Sequence, residues 1–229
     1  MNNQTILDTI SFHVNFDELL RRTHVQPGGE DEPVLRQMAL EAEQIARPKA
    51  LYLPAYIDLR GEDFVVMNGI TFQSRVLAVN LQSVHRTFPY IATCGMELHR
   101  WSESISNLIH RYWADMLLLM ALATARQALV DHLDEKFRLG KTATMSPGSL
   151  EDWPISQQAA LFELLDRSSE IDVSLTPSML MVPFKSVSGI RFATESNFES
   201  CLLCPREDCP GRRAEYDDQL YEKRYKPQT

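Results

Sequence analysis

Hydrophobic residues recur every three or four positions from Ile105 to Phe137, and the middle of this segment is apolar on nearly every side. This spacing is the period of an α-helix, and a helix that is apolar all round is normally buried. The segment is therefore predicted to be the central helix of the fold. One-sided spacing predicts an amphipathic helix over Val34–Ala46. Within Thr9–Val25, alternation followed by helical spacing predicts a short strand and then a helix.

Extended apolar runs follow in the first half of the chain. Leu51–Leu59 and Phe64–Asn68 are predicted to form a hairpin around a polar turn, and Ile70–Phe72 is predicted to continue as a third strand. Asn80–Arg86 is predicted to be a short helix. Pro89–Gly95 is typical of a buried strand that ends at a glycine.

The segment after the central helix begins with Pro147 and Gly148, a dipeptide typical of a tight turn. Asp152 is placed to cap a short helix. Ser178–Pro183 and Ser186–Ala193 are then predicted to be the two strands of a hairpin. On pattern alone, these elements indicate an α+β domain.

Composition narrows the class of partner. The chain has 229 residues, of which 44% are hydrophobic and 24% charged, and its formal net charge is −8. This balance is typical of a soluble globular protein. General binding of nucleic acids or anionic membranes requires basic residues, so neither partner is expected. No secretory signal is evident, and the apolar segment Met116–Ala125 is shorter than the ~20 residues of a membrane span. We therefore expect a cytoplasmic, reducing location.

The main candidate chemistry is a group of cysteines near the end of the chain. Cys201, Cys204 and Cys209 follow a C-x₂-C-x₄-C pattern, and Cys94, after a predicted buried strand, is the remaining cysteine. Closely spaced thiolates can converge on one metal ion, and iron–sulfur clusters are usually held by four of them. The four cysteines are therefore predicted to ligate a [4Fe–4S] cluster, with zinc as the alternative. Packed thiols and a disulfide within the tail are the other interpretations.

Short motifs run from the tight turn to the last predicted strand. They are Ser-Pro-Gly at 146–148, Trp-Pro at 153–154, Gln157, Leu-Phe-x-Leu-Leu at 161–165, Leu-Thr-x-Ser at 175–178, Met-x-Pro at 181–183 and Ser-Val-Ser-Gly at 186–189. This order resembles the activation domain of cobalamin-dependent methionine synthase, and more closely the stand-alone proteins that consist of little else. The resemblance implies an α+β fold in which a curved, mostly antiparallel sheet packs against helices. In that family the domain binds S-adenosylmethionine and allows reductive remethylation of an oxidised cobalamin.

The resemblance also implies a ligand cleft, lined by Pro147, Gly148, Ser149, Trp153, Ser186, Ser188 and Gly189. The family's usual segment is Arg-x-x-Pro-Gly-Tyr, whose arginine and tyrosine help to hold S-adenosylmethionine. Thr144 and Ser149 stand at those two positions here. A threonine cannot make the forked, charge-assisted contact that a guanidinium makes with a carboxylate. The family's usual contacts with S-adenosylmethionine are therefore not expected.

The D-x-H-x-x-G signature of cobalamin-binding proteins is absent, so cobalamin is expected on a partner, either a corrinoid protein or a cobalamin-dependent methyltransferase. One hypothesis is a protein that supports reductive activation or methyl transfer on that partner, with an iron–sulfur cluster as electron source. The alternative is a non-catalytic binding or scaffold protein with a structural zinc. In both, residues 1–195 form the activation-domain-like unit and residues 196–229 form a cysteine-rich tail packed on it.

Overall fold

The computed structural model describes residues 3–209 and 211–226. In chain order, the main elements are β1 (Thr5–Leu7), α1 (Phe16–Thr23), α2 (Glu32–Ile45), β2 (Lys49–Tyr52), β3 (Ala55–Arg60), β4 (Phe64–Met67), β5 (Ile70–Gln73), α3 (Arg75–Asn80), β6 (Arg86–Thr93), α4 (Met96–Ser104), α5 (Leu108–Phe137), β7 (Thr142–Met145), α6 (Gln158–Leu164), β8 (Ser174–Leu175), β9 (Met181–Val182) and β10 (Ser186–Ala193). Short 3₁₀ turns lie at Ile155–Gln157, Ser168–Ile171 and Ser200–Leu203, and a π-helical turn lies at Tyr221–Tyr225.

β6 is the centre of an eight-stranded sheet. One edge of β6 pairs first with β3, at Arg86 and Thr87, and then with β2, and the other edge pairs with β10 from Ser186 to Phe192. β7 pairs with the far edge of β10, while β4 and β5 extend the sheet from β3. Every pairing among the described strands is antiparallel. The predicted α+β class with a mostly antiparallel sheet is confirmed.

The two faces of the sheet pack against different parts of the chain. On one face, Ile91, Ile190 and Phe192 pack with α3, α6 and the C-terminal residues Phe198 and Tyr225. On the other face, a second set of side chains packs against α5; it comprises Tyr52, Phe88, Tyr90, Ala92, Ala125, Leu129 and Leu133. The first half of α5 packs with α1, α2 and α4 in a third cluster. Because side chains alternate along a strand, neighbouring residues of β6 belong to opposite faces.

The long central helix is confirmed as α5, which begins after Asn107, whose side chain accepts hydrogen bonds from two backbone N–H groups. By length and composition α5 could cross a membrane, but the core helix of a soluble protein passes the same test. Here α5 packs along the sheet, and Asp115 forms an ion pair of 2.9 Å with Lys185 beside β10. These contacts are those of a core helix.

Several other predicted elements are present. The amphipathic helix predicted over Val34–Ala46 is α2, and the helix predicted within Thr9–Val25 is α1, capped by Asn15. The run Leu51–Leu59 is divided at Pro54 into β2 and β3, and β3 forms the predicted hairpin with β4. The strand predicted over Pro89–Gly95 is β6, which begins earlier, at Arg86.

Two local predictions in the first half of the chain are wrong. The alternating residues Ile10–Val14 do not form a strand, and the first strand, β1, lies before them. Asn80–Arg86 does not form a helix. The helix in this region is α3, which ends at Asn80. Ser74 starts α3, since its hydroxyl accepts a hydrogen bond of 3.0 Å from the backbone N–H of Leu77. This N-cap serine is the signal that decides the boundary.

The hairpin predicted from Ser178–Pro183 and Ser186–Ala193 is also wrong. β9 pairs with β8, whereas β10 lies between β6 and β7. The turn that closes β8 and β9 contains Met179 with a φ of 64°, and its Thr176 hydroxyl accepts a hydrogen bond from the N–H of Leu180. A polar residue that bonds locally in this way favours a turn over a strand.

Asp152 does not cap the helix that follows it. Its Oδ2 instead accepts hydrogen bonds from the Ser74 hydroxyl and, at 3.0 Å, from the backbone N–H of Val76, both at the start of α3. A carboxylate beside a helix N-terminus satisfies free N–H groups and is favoured by the helix dipole. Asp152 therefore joins the turn after β7 to a helix more than seventy residues earlier in the chain.

We predict that Asp152→Ala will lower the free energy of unfolding by about 1–3 kcal/mol, because it leaves the N–H of Val76 and the hydroxyl of Ser74 without their acceptor. Chemical denaturation followed by circular dichroism measures the change. Glu151→Ala is the matched control, since Glu151 is an exposed carboxylate one residue away. Equal stability of the two variants would contradict the assigned role.

Candidate functional site

The tight turn after β7 is built by backbone geometry. The N–H of Gly148 donates to the carbonyl of Trp153 at 2.7 Å, and both the N–H and the hydroxyl of Ser149 donate to the carbonyl of Ser146. Gly148 has a φ of 80°, and a Cβ there would lie 2.9 Å from Ile155 Cδ1. Glycine is needed for both reasons, the left-handed backbone and the close approach.

A second glycine brings the turn against β10. A Cβ at Gly189 would lie 2.6 Å from the carbonyl oxygen of Met145 and 2.7 Å from the hydroxyl oxygen of Ser146. Real Cβ atoms do not approach so closely, so a side chain here would push the turn away from the strand. Gly189 therefore allows the Ser-Pro-Gly and Ser-Val-Ser-Gly motifs to lie side by side.

The two motifs share a small cleft of about 270 Å³, which Pro147, Ser186 and Ser188 line together with Gln158, Met179 and Phe184. Ser188 donates a hydrogen bond of 3.2 Å to Gln158 Oε1, and Gln158 Nε2 donates to the carbonyl of Met179 at 3.1 Å. These bonds hold α6 and the β8–β9 turn around the cleft. Phe184 is 61% exposed at its rim.

A larger cleft of about 930 Å³ lies on the other side of the turn. Gly148, Ser149 and Ile155 line one wall, and the C-terminal segment forms the opposite wall. Its polar lining consists mainly of carboxylates and phenols, from Glu151, Asp152, Asp217, Asp218, Tyr216 and Tyr221. These tail residues were not predicted, because nothing in their spacing shows that the tail folds back onto the turn.

The residues predicted to line one cleft are therefore divided between two clefts and the core. Pro147, Ser186 and Ser188 line the smaller cleft, and Gly148 and Ser149 line the larger one. Gly189 acts through backbone packing rather than as a lining residue. Trp153 is fully buried in the core, edge-on to Phe72, with ring centroids 6.4 Å apart. Trp153 thus supports the turn from beneath.

Cys94 lies apart from the tail cysteines. It is fully buried in the cluster formed by α1, α2, α4 and the first half of α5. Cys204 packs against the core on the opposite face of the sheet, beside Leu203. Burial raises the pKa of the Cys94 thiol to about 12, which disfavours the thiolate that a metal requires. The position of Cys94 therefore gives no support to its prediction as the fourth ligand.

The tail cysteines share one loop, which is organised around Arg212. The Arg212 guanidinium donates to the carbonyls of Cys201 at 3.3 Å and Cys204 at 3.1 Å, and also to those of Arg206 and Ala214. The Cys201 sulfur accepts a contact of 3.5 Å from the N–H of Arg213. No three His, Cys, Asp or Glu side chains within residues 3–209 and 211–226 are arranged as a metal site.

Comparison with known proteins identifies the fold. The family described as "Vitamin B12 dependent methionine synthase, activation domain" matches residues 127–201, about a third of the chain. The solved structure titled "Crystal Structure of the MetH Reactivation Domain bound to AdoHcy" superposes with a TM-score of 0.65 at 13% sequence identity, over 86% of this chain and 81% of that one. The chain is methionine synthase activation-domain-like. No curated protein matches.

The family match and the structural match cover different lengths of the chain. The activation-domain match runs from the second half of α5 through the tight turn to the first tail cysteine, so it includes every motif that carries the resemblance. The structural similarity extends the activation-domain fold over most of the chain. The predicted resemblance to the activation domain and its fold are confirmed.

We predict that, in folded protein freed of metal by a chelator, Cys94 will resist alkylation at pH 8, because it is buried and burial raises its pKa to about 12, whereas Cys201, Cys204 and Cys209 will react. Mass spectrometry after iodoacetamide treatment, with and without denaturant, measures this difference. The raised pKa also implies that Cys94 contributes stability at pH values below its unfolded value near 9, which is lost as the pH rises toward 12. Rapid labelling of Cys94 at pH 8 would contradict its burial.

Proposed function

We propose that this activation-domain-like chain supports reductive activation or methyl transfer on a corrinoid partner protein, in the cytoplasm. The observation that carries the proposal is the meeting of the Ser-Pro-Gly turn and β10 at a cleft within the activation-domain fold. Two otherwise separate motifs of the resemblance are adjacent there. The chain would supply the surface on which the partner's cobalamin is remethylated.

An S-adenosyl compound is the proposed ligand of this cleft region. The similar MetH reactivation domain is described as bound to AdoHcy, and ligand clefts commonly measure about 300–1,000 Å³. The larger cleft of about 930 Å³ lies within this range, and the smaller adjoins it across Ile155. Thr144 and Ser149 replace the family's usual arginine and tyrosine, so other side chains must contact the ligand.

Phe184 is the proposed contact with the partner. It is 61% exposed, it borders the smaller cleft, and it also borders a second groove lined by α4 and α5. Its ring lies edge-on to His99, with centroids 5.8 Å apart. An exposed aromatic side chain beside a ligand site is typical of a residue that is buried by a partner.

We predict that Phe184→Ala will slow methylation of a partner's cob(II)alamin at least about tenfold, since aromatic contacts dominate many interfaces. The assay combines the protein with the cobalamin-binding region of a vitamin B12 dependent methionine synthase, S-adenosylmethionine and a low-potential reductant. Absorption spectra follow the conversion to methylcobalamin. Tyr56→Ala is the control, because Tyr56 is an equally exposed aromatic residue on β3. No methylation by the unmodified protein would overturn the proposed function.

We also propose that Cys201, Cys204 and Cys209 bind metal, as an iron–sulfur cluster or zinc, with a fourth ligand other than Cys94. The support is that Arg212 holds the carbonyls of Cys201 and Cys204 in one loop, which Cys209 also joins through a backbone bond from Arg212. An iron–sulfur cluster at this loop would supply low-potential electrons beside the larger cleft, which Cys204 lines.

We expect protein purified without oxygen to contain bound metal that is lost in the Cys201→Ser/Cys204→Ser variant and retained in Cys94→Ser. Iron, sulfide and zinc analysis with an absorption spectrum measures the content. Iron and sulfide would support the redox activator, and zinc alone would support the structural alternative. Metal-free unmodified protein would contradict a metal site in the tail.

A further inference from the structure

The C-terminal segment that forms one wall of the larger cleft is attached to the protein at both of its ends. At the first end, the N–H of Asp217 donates to the carbonyl of Leu202 at 2.9 Å. At the other end, Tyr225 is fully buried, and its hydroxyl donates to Asn80 Oδ1 at 3.2 Å. Arg75 donates a further hydrogen bond to the Tyr225 carbonyl. The side chains in this segment are therefore held in defined positions before any ligand binds.

Two tyrosines of the segment, Tyr216 and Tyr221, line the larger cleft. Tyr221 packs against the buried Tyr225, with ring centroids 6.1 Å apart, so aromatic rings lead from the core to the cleft wall. Tyr216 is 49% exposed and Tyr221 is 38% exposed. Pro154 and Ile155 supply apolar atoms to the lining of the same cleft. A cleft with aromatic rings on one wall and apolar atoms on the other is suited to a flat aromatic group.

The charge of the cleft restricts which aromatic compound can enter it. Its charged lining residues are Glu151, Asp152, Asp217 and Asp218, and none of the described residues that line it is a lysine, arginine or histidine. Asp152 is occupied at the start of α3, but the other three carboxylates are exposed. A phosphate monoester carries nearly two negative charges at neutral pH and would be repelled by them. The cleft therefore favours a nucleoside over a nucleotide.

We propose that Tyr216 and Tyr221 stack on the purine ring of an adenine nucleoside whose 5′ substituent carries no phosphate. The inference rests on the proposed function, because it takes the adenosyl group from there; it adds the residues that hold the base and the exclusion of nucleotides. Stacking of a base on an aromatic side chain typically contributes about tenfold in affinity. The tail, which lies beyond the family match at residues 127–201, is thus part of the binding site.

Titration calorimetry with 5′-methylthioadenosine and adenosine 5′-monophosphate tests both parts of this proposal. The two probes share adenine and ribose, but only the second carries a phosphate. The unmodified protein is expected to bind 5′-methylthioadenosine at least about tenfold more tightly, because of the carboxylates. Tyr216→Leu and Tyr221→Leu are each expected to weaken this binding about tenfold. Tyr216→Phe and Tyr221→Phe keep the ring and are expected to retain the affinity.

Further variants separate recognition of the ligand from effects on the fold. Glu151→Gln/Asp218→Asn is expected to strengthen binding of adenosine 5′-monophosphate about tenfold without weakening that of 5′-methylthioadenosine. Tyr56→Leu is the control, since Tyr56 is an exposed tyrosine on β3. If Tyr221→Leu does not fold, Tyr216→Leu still tests the proposal, because Tyr216 is half-exposed.

The outcomes distinguish this inference from the proposed function. An unchanged affinity for 5′-methylthioadenosine in folded Tyr216→Leu and Tyr221→Leu would show that the tail only encloses the cleft, and would overturn the inference while the function stood. Equally tight binding of the two probes would overturn the exclusion of nucleotides. If the unmodified protein bound neither probe but still supported cobalamin methylation, the inference would again fail alone. Failure in both the binding and the methylation assays would overturn the two together.

Discussion

The burial of β6 between two strand edges and two packed faces is the constraint on which the rest of the structure depends. β2 and β3 take one edge of β6 and β10 takes the other, so its backbone groups find partners within the sheet. Alternate side chains then enter separate cores. Phe88, Tyr90 and Ala92 face α5, and Ile91 faces α3, α6 and the tail. A one-residue shift in the register of this strand would move each of its side chains into the core on the opposite face.

The same alternation determines which cysteines can lie close enough to share a site. Cys94 continues the α5 side of β6, and the tail packs on the other side, so a layer of sheet lies between the two sets of thiols. Sequence spacing suggested that the four cysteines form one set, but the alternation of side chains along β6 places Cys94 on the face opposite the tail. The tail's aromatic residues Phe198 and Tyr225 are what attach it to its own face, since both are buried there. The tail thereby becomes a wall of the larger cleft rather than a solvated extension.

Periodic signals predicted α1, α2, α5 and β6, because their residues alternate or repeat over lengths that one local structure alone can satisfy. The wrong predictions share a different cause. Asp152 has the correct residue type to cap a helix, yet the helix it caps is α3, and no local pattern contains that contact. Ser178–Pro183 is apolar enough for a strand beside β10, but β10 already has β6 and β7 as neighbours. Both errors arise where a distant segment competes with the adjacent one.

The candidate site could likewise be predicted only where local sequence determines it. Its motifs could be recognised along the chain by their resemblance to the activation domain, and the structure explains two of their glycines, because a side chain at Gly148 or Gly189 would collide with neighbouring atoms. The tail that forms the other wall of the larger cleft could not, since no sequence spacing shows that Tyr216 and Tyr221 line the same cleft as Gly148 and Ser149. Local spacing therefore identifies the turn that forms one wall of the larger cleft, whereas the other wall depends on a tertiary contact, the burial of Phe198 and Tyr225 against the sheet.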